Sequence, residues 1–241
     1  MKYVDRFRIP FSYLNVGEEL SVIGTAQIIE NNVCAFFASF GKDNGTLSKK
    51  YGSIWVFVKN KFRKYSKAAW NEEIVAESYF TEKTAATVVV DTVAKNSDGK
   101  TVFAARTEAC VIDLATQRIR RVSSVDFPED IEIYDSVAGF EFTRFEKSAL
   151  TEKYGFNVPS TSIDVCKHLN NVEYLRFILN NTSVEEELAR PVRETELNFV
   201  NQAREKECLT VLSGETDGYE IYEIRNGEKV VVRCRISRDG F

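Results

Sequence analysis

The first long apolar pattern in the chain has a helical period. Val22, Ala26, Ile29, Val33, Phe36 and Phe40 recur every three or four residues, which puts them on one helical stripe, and Gly41 supplies a stop. A second stripe, Val172, Leu175, Ile178 and Leu179, follows Asn170 and Asn171, either of which can cap a helix. Elsewhere the period drops to two. From Ile54 to Lys64 the alternation predicts a strand. Ile54, Val56, Val58 and Phe62 share one face; Lys59, Lys61 and Arg63 share the other, beyond Trp55 and Phe57. Thr84 to Lys95 and Lys100 to Asp113 predict a long hairpin around Asp98-Gly99. Gly218 to Arg225 and Glu228 to Ser237 predict its counterpart around Asn226-Gly227.

The two helical stripes are preceded by related segments. Phe7-Arg8-Ile9-Pro10-Phe11-Ser12-Tyr13-Leu14-Asn15-Val16 aligns with Phe156-Asn157-Val158-Pro159-Ser160-Thr161-Ser162-Ile163-Asp164-Val165, and Leu20 then aligns with Leu169. Further on, Phe62, Ala68, Glu72 and Ile74 align with Leu197, Ala203, Glu207 and Leu209 at a smaller separation. The chain thus reads as a duplication, each half a strand, a long helix and a run of strands, with extra residues in the first half. The polar stretch from Gly41 to Gly52 is expected to be one such insertion, a loop. The division expected is 1–125 for the first half, 126–153 for a connection rich in acids and Tyr/Phe, and 154–241 for the second half.

Composition narrows the function. A net charge of −4 and a pI near 5.4 remove the basic balance that nucleic-acid binding requires. No apolar run reaches the ~18 residues of a membrane span. Met1 to Pro10 has neither the apolar core of a secretory signal nor the basic, acid-poor character of a transit peptide, so a cytoplasmic location is expected. The five cysteines, Cys34, Cys110, Cys166, Cys208 and Cys234, contain no CxxC pair; free, mostly buried thiols are expected rather than disulfides or zinc.

The single histidine lies in Asp164-Val165-Cys166-Lys167-His168-Leu169-Asn170-Asn171-Val172. A carboxylate, a thiol and an imidazole alternate just ahead of a helix. If the segment is partly extended, the three line one pocket. Amides at a helix N-terminus, here near Asn170, Asn171 and Val172, can hold an oxyanion. The plainer reading of the same residues is a turn-forming Asp, a capping Asn and a surface Asp–His pair.

This segment resembles the active-site signature of the acyl-acyl carrier protein thioesterases, in which an Asp-x-Asn-x-His-x-Asn-Asn run is followed by Tyr and an aromatic residue. Asp164, His168, Asn170, Asn171, Tyr174 and Phe177 fall in register. The resemblance implies an α+β fold of two tandem hot-dog domains, each a long helix wrapped by an antiparallel sheet. The catalytic residues lie in the second domain, and the first is kept for substrate binding. It also implies hydrolysis of fatty acyl-carrier protein thioesters with release of free fatty acid. An acyl-coenzyme A hydrolase and a non-catalytic acyl-binding protein are the alternatives. Asn15, Gly17 and Glu19 stand where the first half would carry the motif. Two positions depart from the family: Cys166 replaces the motif Asn, and Gln202 and Ala203 stand where the family has Glu, followed in plants by Cys. Three outcomes stay open: activity carried by Asp164 and His168, a nucleophilic Cys166 that needs His168 beside it, or a binding protein.

On this resemblance Asp164 is the base or nucleophile. His168 orients the thioester or protonates the leaving thiol, and Gln202 orients water or substrate. No cofactor is expected. The expected partner is an acidic carrier protein bearing an acyl chain, met by a monomer or homodimer. Lys59, Lys61, Arg63, Lys64 and Lys67, or Arg118, Arg120 and Arg121, are candidate docking patches. The helix bearing Val33, Phe36, Phe37 and Phe40 is expected either to shape the acyl tunnel or to form core.

Overall fold

The computed structural model describes residues 1–136, 139–145 and 149–238, and the chain divides into two compact units, Met1–Glu141 and Phe142–Phe241. The first contains strand β1 (Tyr3–Arg8), helices α1 (Val22–Ala38) and α2 (Asn44–Tyr51), and strands β2 (Ser53–Lys64), β3 (Glu73–Lys83), β4 (Thr87–Asn96), β5 (Thr101–Asp113) and β6 (Ile119–Arg120). Its antiparallel sheet runs β1-β3-β4-β5-β2, with β6 paired to β5. The second contains β7 (Thr151–Asn157), α3 (Asn171–Leu179), α4 (Val184–Ala189), β8 (Glu194–Phe199), β9 (Cys208–Thr216), β10 (Tyr219–Asn226) and β11 (Lys229–Ser237). Its sheet runs β7-β9-β10-β11-β8. The two orders correspond strand for strand, as a duplication requires.

Helix α1 begins where Ser21 accepts from Gly24 N and lies along β3, β4 and β5 of its own sheet. Its stripe is fully buried at Ile29, Val33 and Phe36. Phe36 and Phe37 pack with Phe40, Phe80 and Phe127, and Phe37 stacks on Trp55 at 4.7 Å between centroids. These rings fill one another's space as core. The turn at Asp98-Gly99 puts Gly99 at φ +77°, where a side chain would be strained.

Several expectations need correction. The Gly41–Gly52 stretch is helical, not a loop: Asp43 accepts from Thr46 N, Leu47 is buried, and Gly52 ends the helix in the left-handed conformation. It is not an insertion either, since α4 occupies the same place in the second unit. The extra residues of the first half lie mainly in α1, 17 residues against nine in α3. Helix α3 stops early because Asn180, Asn181 and Thr182 favour turns, and Ser183 starts a new helix by accepting from Glu186 N. The helix of the second half is therefore short.

The alternation in β2 breaks at Val58. A bulge between Phe57 and Lys59 moves Phe62 onto the face of Trp55 and Phe57, away from Ile54 and Val56. The lysines of this strand are engaged internally. Lys61 is buried, donates to Glu141 O and sits over the Phe140 ring; Lys59 pairs with Glu108 at 2.7 Å. Lys64 is buried beside Glu19 and donates to Leu20 O, so this strand is not a free docking face. In the other patch Arg120 bonds Tyr51 O and Ser53 Oγ, which leaves Arg118 and Arg121 as its exposed members.

The stretch expected to connect the halves is structured at both ends. Phe127 is buried in the aromatic core, Tyr134 N donates to Phe80 O, and Thr151–Lys153 already belong to β7. Within that stretch, 137–138 and 146–148 lie outside the described residues, as do 239–241 at the end of the second half. The cysteines are all free, but Cys34 and Cys208 are exposed and Cys166 is half-buried, so only Cys110 and Cys234 fit the buried expectation. Among the described residues, no helix is long and apolar enough to cross a membrane.

Phe80 is buried at the centre of the aromatic cluster. Phe80→Ala should cost about 3–5 kcal/mol in urea unfolding. A loss under about 1 kcal/mol would mean that the cluster is loosely packed.

Candidate active site

After β7 the chain makes a 3-10 turn at Ser160–Ser162, and Ile163 then bridges to Leu169. The residues between form a closed loop. Asp164 N donates to His168 O at 2.9 Å, and Lys167 N to Asp164 O at 3.0 Å. Asp164 Oδ1 accepts from Cys166 N at 2.8 Å and His168 N at 3.3 Å. The segment is thus a tight turn organised by the carboxylate. The alternation survives: Val165 is 95% exposed and Lys167 points to solvent, while Asp164, Cys166 and His168 are half-buried.

The first half holds the same turn. Asn15 N donates to Glu19 O at 2.9 Å, and Asn15 Oδ1 accepts from Gly17 N at 3.0 Å and Glu19 N at 3.3 Å. Glu18 and Lys167, at matching places, have φ of 57° and 63°. An Asn oxygen therefore closes this turn as well as an Asp oxygen does. Chemistry differs at the histidine position. Glu19 is buried there, with Lys64 Nζ at 3.8 Å and Lys67 Nζ at 3.4 Å.

A second segment packs against the turn. Leu169 N donates to Ala203 O at 2.9 Å, and the buried Tyr174 hydroxyl accepts from Ala203 N at 3.1 Å. Gln202, half-buried just before Ala203, is thereby held near His168 and Asn170. Asn170 is the cap of α3, settling the choice between the two asparagines. Its Oδ1 accepts from Val172 N at 2.8 Å, and Glu173 N reaches Asn170 O at 3.1 Å. The Val172 amide, expected as an oxyanion donor, is thus engaged in the cap. The Asn171 N–H stands at the first position of α3, where amides have no partner within the helix.

Burial holds His168 below the ordinary histidine value of 6.5, and Arg204 adds to this; Asp164 and Glu207 oppose it. The ring is therefore neutral near pH 7. Its Nδ1 is buried with no hydrogen-bond partner among the described residues. Burial also pushes the Tyr174 hydroxyl up, so it stays protonated. The charges of Arg204 and Glu207 both reach the imidazole. Their signal was the alignment of Glu72 with Glu207, which puts Glu207 across the turn from Ala203.

Two units with the same five-strand order, each with the turn before its helix hydrogen-bonded to the segment after β2 or β8, define a tandem hot-dog fold. Residues 145–237 match the acyl-ACP thioesterase C-terminal domain. An acyl-ACP thioesterase from Bacteroides thetaiotaomicron is 18% identical and superposes with a TM-score of 0.86, over 98% of this chain and 97% of the other. The 12:0-ACP thioesterase from Umbellularia californica is 14% identical with a TM-score of 0.83, over 98% and 96%. These likenesses establish the fold. No curated protein matches the chain.

The turns predict the outcome at position 164. Asp164→Asn should keep the loop, as Asn15 does in the first half, so its melting temperature should match wild type while any turnover falls about a hundredfold or more. Asp164→Ala should also cost about 1 kcal/mol of stability, because two amides lose their acceptor. An active Asp164→Asn protein would remove Asp164 from the chemistry.

The lone histidine gives one imidazole signal in NMR. Its midpoint should lie below 6.5. The depressed value means that the unfolded chain binds the extra proton first. Stability from this group is full above 6.5 and is lost as pH falls through the folded midpoint. A midpoint at or above 6.5 would contradict the burial argument.

Proposed function

We propose that this protein hydrolyses fatty acyl-carrier protein thioesters and that the second half carries the chemistry. The observation behind this reading is a neutral, half-buried His168 held beside a carboxylate and a helix-terminal amide. The neutral ring takes a proton from a water molecule, whose oxygen adds to the thioester carbonyl. The Asn171 N–H holds the resulting oxyanion. As the C–S bond breaks, the imidazolium returns its proton to the leaving thiolate, giving free acid and free thiol. Asp164 holds the turn with one carboxylate oxygen and stabilises the imidazolium by its charge. His168 serves here as base first and acid second, because a ring depressed below 6.5 has no proton to give at rest. Asn170 caps the helix that presents the amide, and Gln202 positions substrate.

Cys166 is a side chain of the turn in this scheme, its N–H bonded to Asp164. Cys166→Ser should retain most activity; a complete loss in a folded protein would favour the nucleophile. The first half, with a buried Glu19 beside Lys64 where the second has His168, serves binding. Free thiols at all the cysteines are compatible with a cytoplasmic, reducing compartment.

Fatty-acid release from acyl-carrier proteins of increasing chain length, beside the matching coenzyme A thioesters, tests the reading. Turnover on the carrier series is expected. No turnover on either series from a folded protein that binds acyl chains would replace the hydrolase with a binding protein. Arg118→Glu with Arg121→Glu should raise KM for the carrier substrate and spare small thioesters. An equal effect on both substrates would remove that face from docking.

A further inference from the structure

Two exposed apolar clusters lie away from the paired turns, one in each unit, and their charges are opposite. The first is on α4. Val184 and Leu188 are four residues apart and so share one helix face, and they are 52% and 55% exposed. The helix is tied to the unit by a single guanidinium. The buried Arg238 donates from Nη1 to Arg190 O at 2.9 Å and from Nη2 to Thr182 Oγ1 at 3.1 Å. It also pairs with Glu187 at 3.5 Å and with Glu220 of β10 at 2.6 Å. Both ends of α4 are thereby fixed while its apolar pair stays in solvent. Glu185 and Glu186, both exposed, stand beside that pair in the sequence.

The second cluster is on the hairpin between β5 and β6. Leu114 is 38% and Ile119 63% exposed. Arg118 and Arg121 are exposed beside them, while Arg120 is bonded to Tyr51 O and Ser53 Oγ. The duplicated fold requires neither cluster. Helix α2, which holds the place of α4 in the first unit, buries its large apolar residue Leu47 and ends in lysines. Among the described residues, the second unit has no counterpart of β6.

We propose that α4 of one copy docks on the Leu114–Arg121 hairpin of a second copy of this chain. The two surfaces match in both senses: an apolar pair meets an apolar pair, and two glutamates meet two arginines. An apolar centre with a charged rim is the anatomy of a protein interface, and complementary rims steer the encounter and suppress wrong partners. An acidic carrier protein matches the hairpin alone, and a basic partner matches α4 alone. A second copy is the occupant that uses both. Each copy presents both surfaces, so neither is left without a mate when copies meet. The contact is small, so reversible association in the range of about 1–100 µM is expected. The proposal does not depend on the hydrolase reading.

Sedimentation of the full chain across that range reads the association. Wild type should self-associate, and less so at high salt. Glu185→Lys with Glu186→Lys, and separately Arg118→Glu with Arg121→Glu, should each raise the dissociation constant about tenfold or more, because like charges then face each other. Leu188→Ser should weaken association with no change of charge. These positions are exposed, so every variant should keep the wild-type melting temperature. The two charge variants should associate again when mixed. Lysines on α4 of one then meet glutamates on the hairpin of the other, and the unaltered surfaces still pair. A wild type that stays monomeric throughout would overturn the proposal, as would association that the charge variants leave unchanged or a mixture that is not rescued. A monomeric wild type whose arginine variant has a raised KM for the carrier substrate would assign the hairpin to the carrier instead.

Discussion

The backbone hydrogen bond from Leu169 N to Ala203 O is the constraint on which the candidate site depends. It joins the turn before α3 to the segment after β8, two stretches far apart in sequence. Its twin, Leu20 N to Ala68 O at 2.7 Å, joins the same two places in the first half. Each is a backbone bond beside a buried leucine, where an unpaired amide or carbonyl is costly. The fold therefore delivers a fixed pair of turns whatever side chains they carry. Function is a matter of which residues stand on them.

The two pairs differ in the side chains they carry. Both turns close on a side-chain oxygen, from Asn15 or Asp164, so closing the turn does not require a charge. The charge at 164 is then surplus to structure. At the next position of interest the first half carries Glu19, paired with Lys64 and with Lys67. Removing Lys64 alone would leave a buried carboxylate short of its partner, a change that typically costs several kcal/mol. The first half is thus held to its ion pair. The second is free to keep a neutral ring, with nothing of opposite charge fully paired to it.

Much of this was legible in the sequence, and the reasons differ by element. The α1 stripe was readable because a helix buried along one side needs apolar residues at that period. The hairpins were readable because Asp98-Gly99 and Asn226-Gly227 meet the backbone demands of tight turns. The duplication was readable at Leu20/Leu169 and Ala68/Ala203 because those residues flank the conserved backbone bonds. Helix α2 was missed since its polar surface hides a cap at Asp43 and a single buried residue, Leu47. The bulge at Val58 was invisible because the strand pattern reads the same until the register of its partner is known. Asp164, Cys166 and His168 share a half-buried side of one turn, as their alternation suggested, but the turn is closed by the Asp164 carboxylate, which the spacing does not reveal.

The depressed basicity of His168 fits the leaving group better than it fits a harder substrate. An alkoxide or amide needs a strong acid at the moment of bond breaking. A thiolate, with a conjugate acid near pKa ~8.5, departs with little help. A thioesterase can therefore begin its cycle from a neutral imidazole and draw the needed proton from water during the reaction itself. What such a site must guard against is a ring too weakly basic to take that proton. Burial and Arg204 push it in that direction, and the charges of Asp164 and Glu207 oppose them. The site balances desolvation, which keeps the resting ring neutral, against acidic neighbours that keep it reactive.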